Sequence, residues 1–431
     1  MSSCYDVIIV GAGAAGLRVG IEVVKQYPGI RCCLLEKYNY VGGRIVTYRK
    51  DIPSIGPVQW ENGAGRISRS HTRVLRLVRQ YGLHTFPLSP TTCFVSSKTH
   101  DLQPNAFYDL VSIYILPLRQ LPKDVLATHT VEQLLIQTIG IKQTKELAVQ
   151  FPYYSELHVL RADLALDAFE KEMGSNKGFV VCTEGYQAIT DHMVDEFVQR
   201  GGVLLTNFDV TDVRSMQDHS VQIIGRETIC PKGKKTIRTI QATGVVLALP
   251  STSLQSIKGI VLPMLRHLEM PPLLRIYAIF PRRNGKMWFE HLSKVVTDST
   301  LRYIIPYDVK KGIIMISYTE GPDASYWMKM SPAHVQKQIY SEVQRLFPDL
   351  DIPPPLFVKM HPWTDGCTYW KPGAYDPVEE SQRSLHPLPD TSPHVFVCSE
   401  SFSLHQSWVE SALEQADQVL ALPAFQAMLQ T

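Results

Sequence analysis

The segment Val7–Leu17, VIIVGAGAAGL, decides the fold. The apolar run Val7 to Val10 reads as a short strand buried on both faces, and the residues behind it, AAGLRVGIEVVKQY, carry apolar side chains at helical spacing up to the Pro28-Gly29 stop. Between strand and helix stand Gly11, Gly13 and Gly16 in the pattern GxGxxG. Gly11 permits a tight turn, Gly13 lets backbone approach a pyrophosphate, and Gly16 lets helix and strand pack closely, while Ala14 and Ala15 open the helix whose positive end meets the phosphates. A second buried strand, RCCLLE, ends on Glu36, which follows Gly16 by 20 residues. At that distance a carboxylate reaches ribose hydroxyls, so Glu36, with Lys37 beside it, predicts an α/β Rossmann-like site for NAD or FAD and argues against the 2′-phosphate of NADP.

Composition sets the frame around that site. With 431 residues, 45% hydrophobic and 19% charged, the chain is long enough for two domains and too apolar for disorder. A formal charge of +2 gives no reason to expect nucleic acid or an anionic membrane as partner, and the basic runs PKGKKTIR (231–238) and PRRNGK (281–286) read as solvated turns. Eight cysteines without a CxxC or CxxH pair indicate neither a metal site nor a disulfide framework, so a reducing, cytoplasmic setting is expected. Asp6 precedes the first apolar run, which has no basic n-region, and no stretch approaches the ~18 apolar residues of a membrane span.

The next residues separate NAD from FAD. YVGGRIVT, Tyr40 to Thr47, adds Gly43 and the guanidinium of Arg44, suited to a diphosphate. WENGAGRIS, Trp60 to Ser68, supplies Gly63, Ala64 and Arg66. These motifs resemble the flavin amine oxidase family. The resemblance implies a GR2-type FAD-binding domain in three pieces (1–88, 178–255 and 385–431) and a discontinuous mixed α/β substrate domain (89–177 and 256–384). It also implies that Gly63, Ala64 and Arg66 lie on the flavin side, that Val210 meets the adenine through its backbone, that Glu400 lies beside the ribityl chain, and that Trp408 and Val409 open a helix facing the flavin pyrimidine edge. A helix N-terminus there stabilises the negative charge of reduced flavin.

For chemistry, the resemblance implies hydride transfer from the C–H beside a small-molecule amine or amino-acid nitrogen to flavin N5, hydrolysis of the imine, and return of electrons to O2. Many family members place a lysine on a substrate-domain strand near N5. In PPLLRIYAIF, 271–280, that position is Arg275. Arginine stays charged in any protein environment and cannot act as a base. Facing the flavin, it repels an ammonium and attracts a carboxylate, so an anionic or amphoteric amine is expected. Trp408 matches one wall of the family's aromatic slot; Gly366 falls where the other aromatic belongs, and Tyr369 and Trp370 are the candidates to replace it. Cys367 is two positions from the cysteine that holds flavin covalently in some relatives, so non-covalent FAD is expected. Ser399 replaces a glycine, at a cost of ~1 kcal/mol if the backbone there needs φ > 0. His405 reads as a hydrogen-bonded loop residue, Asp365 either meets an amine or caps a turn, and nothing else resembles a Ser/His/Asp set or a paired-carboxylate site. Two other functions fit the same residues: a flavin-fold component that has lost turnover, and an FAD-linked desaturase or isomerase.

Overall fold

The computed structural model describes residues 4–104, 107–173, 178–229, 236–385 and 393–430. The basic run at 231–238 falls mostly outside these residues. The run at 281–286 is an exposed turn in which Arg283 and Lys286 exchange backbone hydrogen bonds of 2.9 and 3.0 Å, with Asn284 and Gly285 at positive φ.

Strand β1 (Cys4–Val10) runs into helix α1 (Ala14–Gln26) and the chain returns through strand β2 (Cys32–Leu35), parallel to β1 with Val7 opposite Cys32. Their continuous apolar character has a direct cause, because both faces of the sheet are covered. Val7, Ile9, Cys32 and Leu34 pack into one core with α1 and the helices Gln187–Gln199 and Val409–Leu420; Ile8, Val10, Cys33 and Leu35 point into the opposite core.

The sheet is completed from distant sequence. Val203–Leu205 adds outside β2, and the strand Ile237–Leu247 pairs parallel to β1, with Val7 opposite Gly244. The first half of that long strand pairs with Val221–Glu227, which in turn pairs with Phe208–Ser215; its last three residues carry Val395–Val397 on the same side. Three separated stretches of chain therefore build one sheet.

A second seven-stranded sheet lies in the remaining sequence. One strand in from its edge, Leu273–Ile279 is antiparallel both to Ile313–Glu320 and to the edge strand Phe357–Trp363. Every residue of Ile313–Glu320 is buried, because the sheet is covered on one face by Trp327, Ile339 and Val343 and on the other by residues that include Trp60. Helix α2 (Thr72–Gln80) follows the segment Gly63–Arg66 and lies against the Val409 helix. Among the described residues no helix is long and apolar enough to cross a membrane.

Candidate active site

Residues from both sheets line one cavity of about 640 Å3. Its glycine wall is set by steric limits. Gly11 has φ +104°, and a Cβ there would lie 2.4 Å from the Ala248 carbonyl oxygen; a Cβ on Gly16 would lie 2.0 Å from the Gly11 oxygen. Gly13, Ala14 and Ala15 line the cavity where α1 begins. That helix has no side-chain cap and no acid in its first turn, so its free amides and positive dipole end are left for an anion. Gly16 does not reach the cavity and serves the packing of α1 on β1.

Glu36 sits at the end of β2, buried, and accepts hydrogen bonds from the Ala12 and Tyr38 amides at 2.9 Å each. Burial raises its carboxyl above the usual range, and the amide bonds and Lys37 oppose that shift. Lys37, Gly43 and Val210 line the same wall, as do Tyr38 and Tyr40, whose rings stack at 5.3 Å. Arg44 donates to the Glu400 carboxylate at 2.5 Å and to the Gly366 carbonyl at 2.7 Å. The second oxygen of Glu400 accepts from the Ser407 amide, which ties the loop before the Val409 helix to Arg44. A Cβ on Gly63 would meet the Arg44 carbonyl at 1.9 Å, and the Ala64 amide donates to that carbonyl at 2.9 Å.

Trp408 is the N-cap of the Val409 helix, again without a side-chain cap. Its ring stacks on Phe179 at 5.9 Å and meets His71 edge-on at 4.8 Å. The Arg66 guanidinium lies 5.0 Å from the Phe179 ring and donates to the Tyr153 hydroxyl at 2.6 Å. Trp408, Val409 and Arg66 all face the cavity.

Arg275 also lines the cavity and does not point to solvent. Its Nη1 donates to the Glu61 carbonyl at 3.2 Å, its guanidinium lies 5.5 Å from the Tyr318 ring, and its buried Nε has no partner. Gly65 makes the room, since a Cβ there would come 2.9 Å from Arg275 Nη1. Beneath it, the Glu61 carboxylate accepts from Thr47 Oγ1 and the Tyr186 amide, and burial pushes it up to about 7. His361, opposite Arg275 on the next strand, accepts from Trp60 Nε1 and is held neutral, pushed down to about 3 by burial and by Lys359 and Arg275.

Several expectations are corrected here. Paired carboxylates are present after all. Glu320 ends the Ile313 strand and accepts from the Ser155 amide and hydroxyl and from the Tyr318 hydroxyl. Glu156, on the short helix Ser155–His158, shares the cavity with it. Burial, and then the charge of Glu320, pushes Glu156 up to about 8, and its Oε2 has no partner. Trp370 does not line the cavity: it is fully buried in the core, its indole donating to the Ser403 carbonyl. Adjacent strand residues face opposite ways, and here Tyr369 faces the cavity while Trp370 takes the core. Ser399 has φ −161°, an extended conformation open to any residue, and its hydroxyl accepts from the Ser401 amide, so the anticipated strain is absent. Gly366 lines the cavity, but a Cβ there would meet the Pro271 carbonyl at 2.7 Å, which leaves no space for an aromatic. Asp365 lines the wall beside it, and His405 faces Lys171 at 3.1 Å.

A glycine-bounded helix N-terminus, a buried acid after the second strand and a second helix N-terminus on the same cavity are the features of a dinucleotide-binding protein. The chain belongs to the flavin containing amine oxidoreductase family, whose model matches residues 26–420. It is a flavin-dependent amine oxidoreductase by that membership. Aplysianin-A of Aplysia kurodai is 24% identical over 96% of this chain and 89% of its own length. The flavin-containing amine oxidase A of Sus scrofa is 31% identical over 21% of this chain and 16% of its own. Among solved structures, putrescine oxidase bound to putrescine superposes with a TM-score of 0.71 at 17% identity, covering 97% of this chain and 98% of that one. A redesigned triple variant of putrescine oxidase gives 0.74 at 16% identity over the full length of both chains. These structural matches establish the fold.

Proposed function

We propose that the cavity binds FAD without a covalent bond and that the protein oxidises an amphoteric amine. The fit to FAD rests on the uncapped start of α1 for a diphosphate, Glu36 for the adenosine ribose, and Glu400 with the Val409 helix for the ribityl and pyrimidine end. Segments 1–88, 178–255 and 385–431 form the cofactor domain in this reading, and 89–177 with 256–384 the substrate domain. Cys367 lines the cavity, but burial pushes its thiol up to about 12, too high for a useful thiolate. Acid precipitation of the yellow protein should leave the flavin in the supernatant; colour retained in the pellet would overturn the non-covalent reading.

Bound flavin supplies the hydride acceptor and passes electrons on to O2. The chain's own task is to place the amine, neutralise it and keep competing groups out. Arg275 carries the substrate reading: a fixed cation with an unpaired, buried Nε–H is a ready donor to a carboxylate. Glu156 and Glu320 supply opposite charge for an ammonium. Only a neutral amine gives up hydride readily, and Glu156 Oε2, when ionised, is placed to take the ammonium proton. Tyr318, Tyr369 and Trp408 bound the slot.

Amines that differ only in a carboxylate test this reading. The carboxylated members should show kcat/KM higher by roughly ten- to a hundredfold, the worth of one charge-assisted hydrogen bond. Arg275→Met should erase that preference. Equal kcat/KM across the panel would overturn the substrate assignment and leave the flavin assignment standing.

A further inference from the structure

The cavity meets two helix N-termini, those of α1 and the Val409 helix, and the segment Gly63–Arg66 that leads into α2. Outside the cavity lining, five charged side chains tie the three together. Asp417 in the Val409 helix accepts from Arg18 Nε of α1 on one oxygen and from Arg73 Nε of α2 on the other, at 2.9 Å each. Glu410, in the first turn of the same helix, takes over the start of α2. Its carboxylate accepts from the Arg73 and Val74 amides at 3.0 Å and from Arg73 Nη1 at 3.3 Å. The residue at the N-cap position of α2, His71, has no side-chain cap bond, so Glu410 caps that helix from outside it. Glu22 completes the set by accepting from Arg18 Nη1 at 2.8 Å.

We infer that Glu410 and Asp417 are positioning residues: by locking α1, α2 and the Val409 helix to one another, they hold the α1 N-terminus at the diphosphate and the Val409 N-terminus at the flavin pyrimidine edge, and so set the cofactor's affinity and redox potential from outside the cavity. None of the five side chains reaches the bound group directly, since none lines the cavity. Their route to it is rigid. α2 carries His71, whose ring braces Trp408, and Trp408 is the N-cap of the helix that faces the flavin. The field of a helix terminus falls off within its last turn, so a small displacement of either end alters the stabilisation of negative charge. The pairs are only partly exposed, with side-chain exposures of 14% for Glu410 and 33% for Asp417, so solvent screens them incompletely.

The inference rests on flavin binding, which the wild-type protein reports separately through its visible spectrum. The experiment compares Glu410→Gln, Asp417→Asn and Arg119→Gln, measuring FAD dissociation constant, two-electron midpoint potential and the melting temperature of the apoprotein. Arg119 pairs with Asp167 and Glu170, outside the three helices and without lining the cavity itself, and serves as the control. Both lattice variants should weaken FAD threefold to tenfold and lower the reduced-to-oxidised ratio at fixed potential at least threefold, ~14 mV on the two-electron scale. The shared direction is the signature. If Glu410 acted through its own charge, removing that charge would raise the potential, and Asp417, two turns further along, would do little; that pattern overturns the inference. A fall in melting temperature with unchanged potential also overturns it, as does an equal shift in the Arg119 variant. A wild-type chain that binds no FAD would instead refute the cofactor reading.

Discussion

The two ends of the cavity are built from different materials. The dinucleotide end rests first on backbone, with glycines that admit close approach and helix N-termini whose amides and dipoles face inward, and adds the side chains of Glu36, Arg44 and Glu400 to that frame. The end proposed for the amine is made of side chains, with Arg275, Glu156 and Glu320 brought together from three separate segments. Backbone recognition depends on spacing in sequence and tolerates almost no change. Side-chain recognition depends on the fold and can be retuned one residue at a time. In the proposed reading, that difference places specificity: a common cofactor is held by a rigid cradle, and the substrate is selected by charges in the slot.

The sharpest way to break the comparison is at Gly11. Gly11→Ala combines φ +104° with a clash against the Ala248 carbonyl. It should cost about 2–3 kcal/mol of stability and leave a colourless protein, read from the flavin absorbance per polypeptide and the thermal midpoint. A yellow variant of normal stability would show that the cradle is looser than described.

A smaller effect is expected at Glu156, where the amine end should yield without loss of cofactor. Its carboxyl is raised to about 8 in the folded chain, against 4.5 for the free group. The folded state therefore holds the proton more tightly than the unfolded one. The stabilisation this gives is complete below pH 4.5 and is lost as pH rises through 8. Glu156→Gln should flatten that decline, melting higher than wild type at the alkaline end, and should remove the limb of kcat/KM centred near 8. Retention of the limb would assign it to the substrate amine.

The least change is expected at Ser399→Gly. Since the backbone is extended there, glycine relieves nothing, and the loss of the hydroxyl cap on Ser401 should cost only a few tenths of a kcal/mol with FAD affinity unaltered. Tighter flavin binding by this variant would mean that a glycine is wanted at 399 for a reason other than φ.

How much of this was legible in the sequence follows from the same contrast. Gly11, Gly13 and Glu36 are read from local spacing, because one turn or one strand length fixes where they point, whereas Gly63 and the helix start at Trp408 are reached through the family resemblance. The residue-by-residue match also brought Arg275 to the cavity wall. Glu156 and Glu320 were not legible: Glu156 stands in a polar four-residue helical turn, and Glu320 follows an apolar strand at the place where a solvent-facing acid is commonly found. Only the pairing of Ser155 with Glu320, 165 residues apart, brings them into one pocket. Trp370 failed for a different reason. Sequence placed the dipeptide correctly beside the site but could not say which of two adjacent side chains the sheet turns inward.

The strand Ile237–Leu247 joins β1 to Val395–Val397, so residues from the first and last tenths of the chain become neighbours through it. During synthesis β1 gains its second neighbour only when Ile237–Leu247 emerges, and α1 gains the cover of the Val409 helix later still. Until then its apolar β1–α1 surface is without cover, and the nucleotide cannot be enclosed. Cells short of riboflavin should accordingly accumulate this protein as aggregate more than as soluble apoenzyme, since the ligand that rewards closure arrives only at the end.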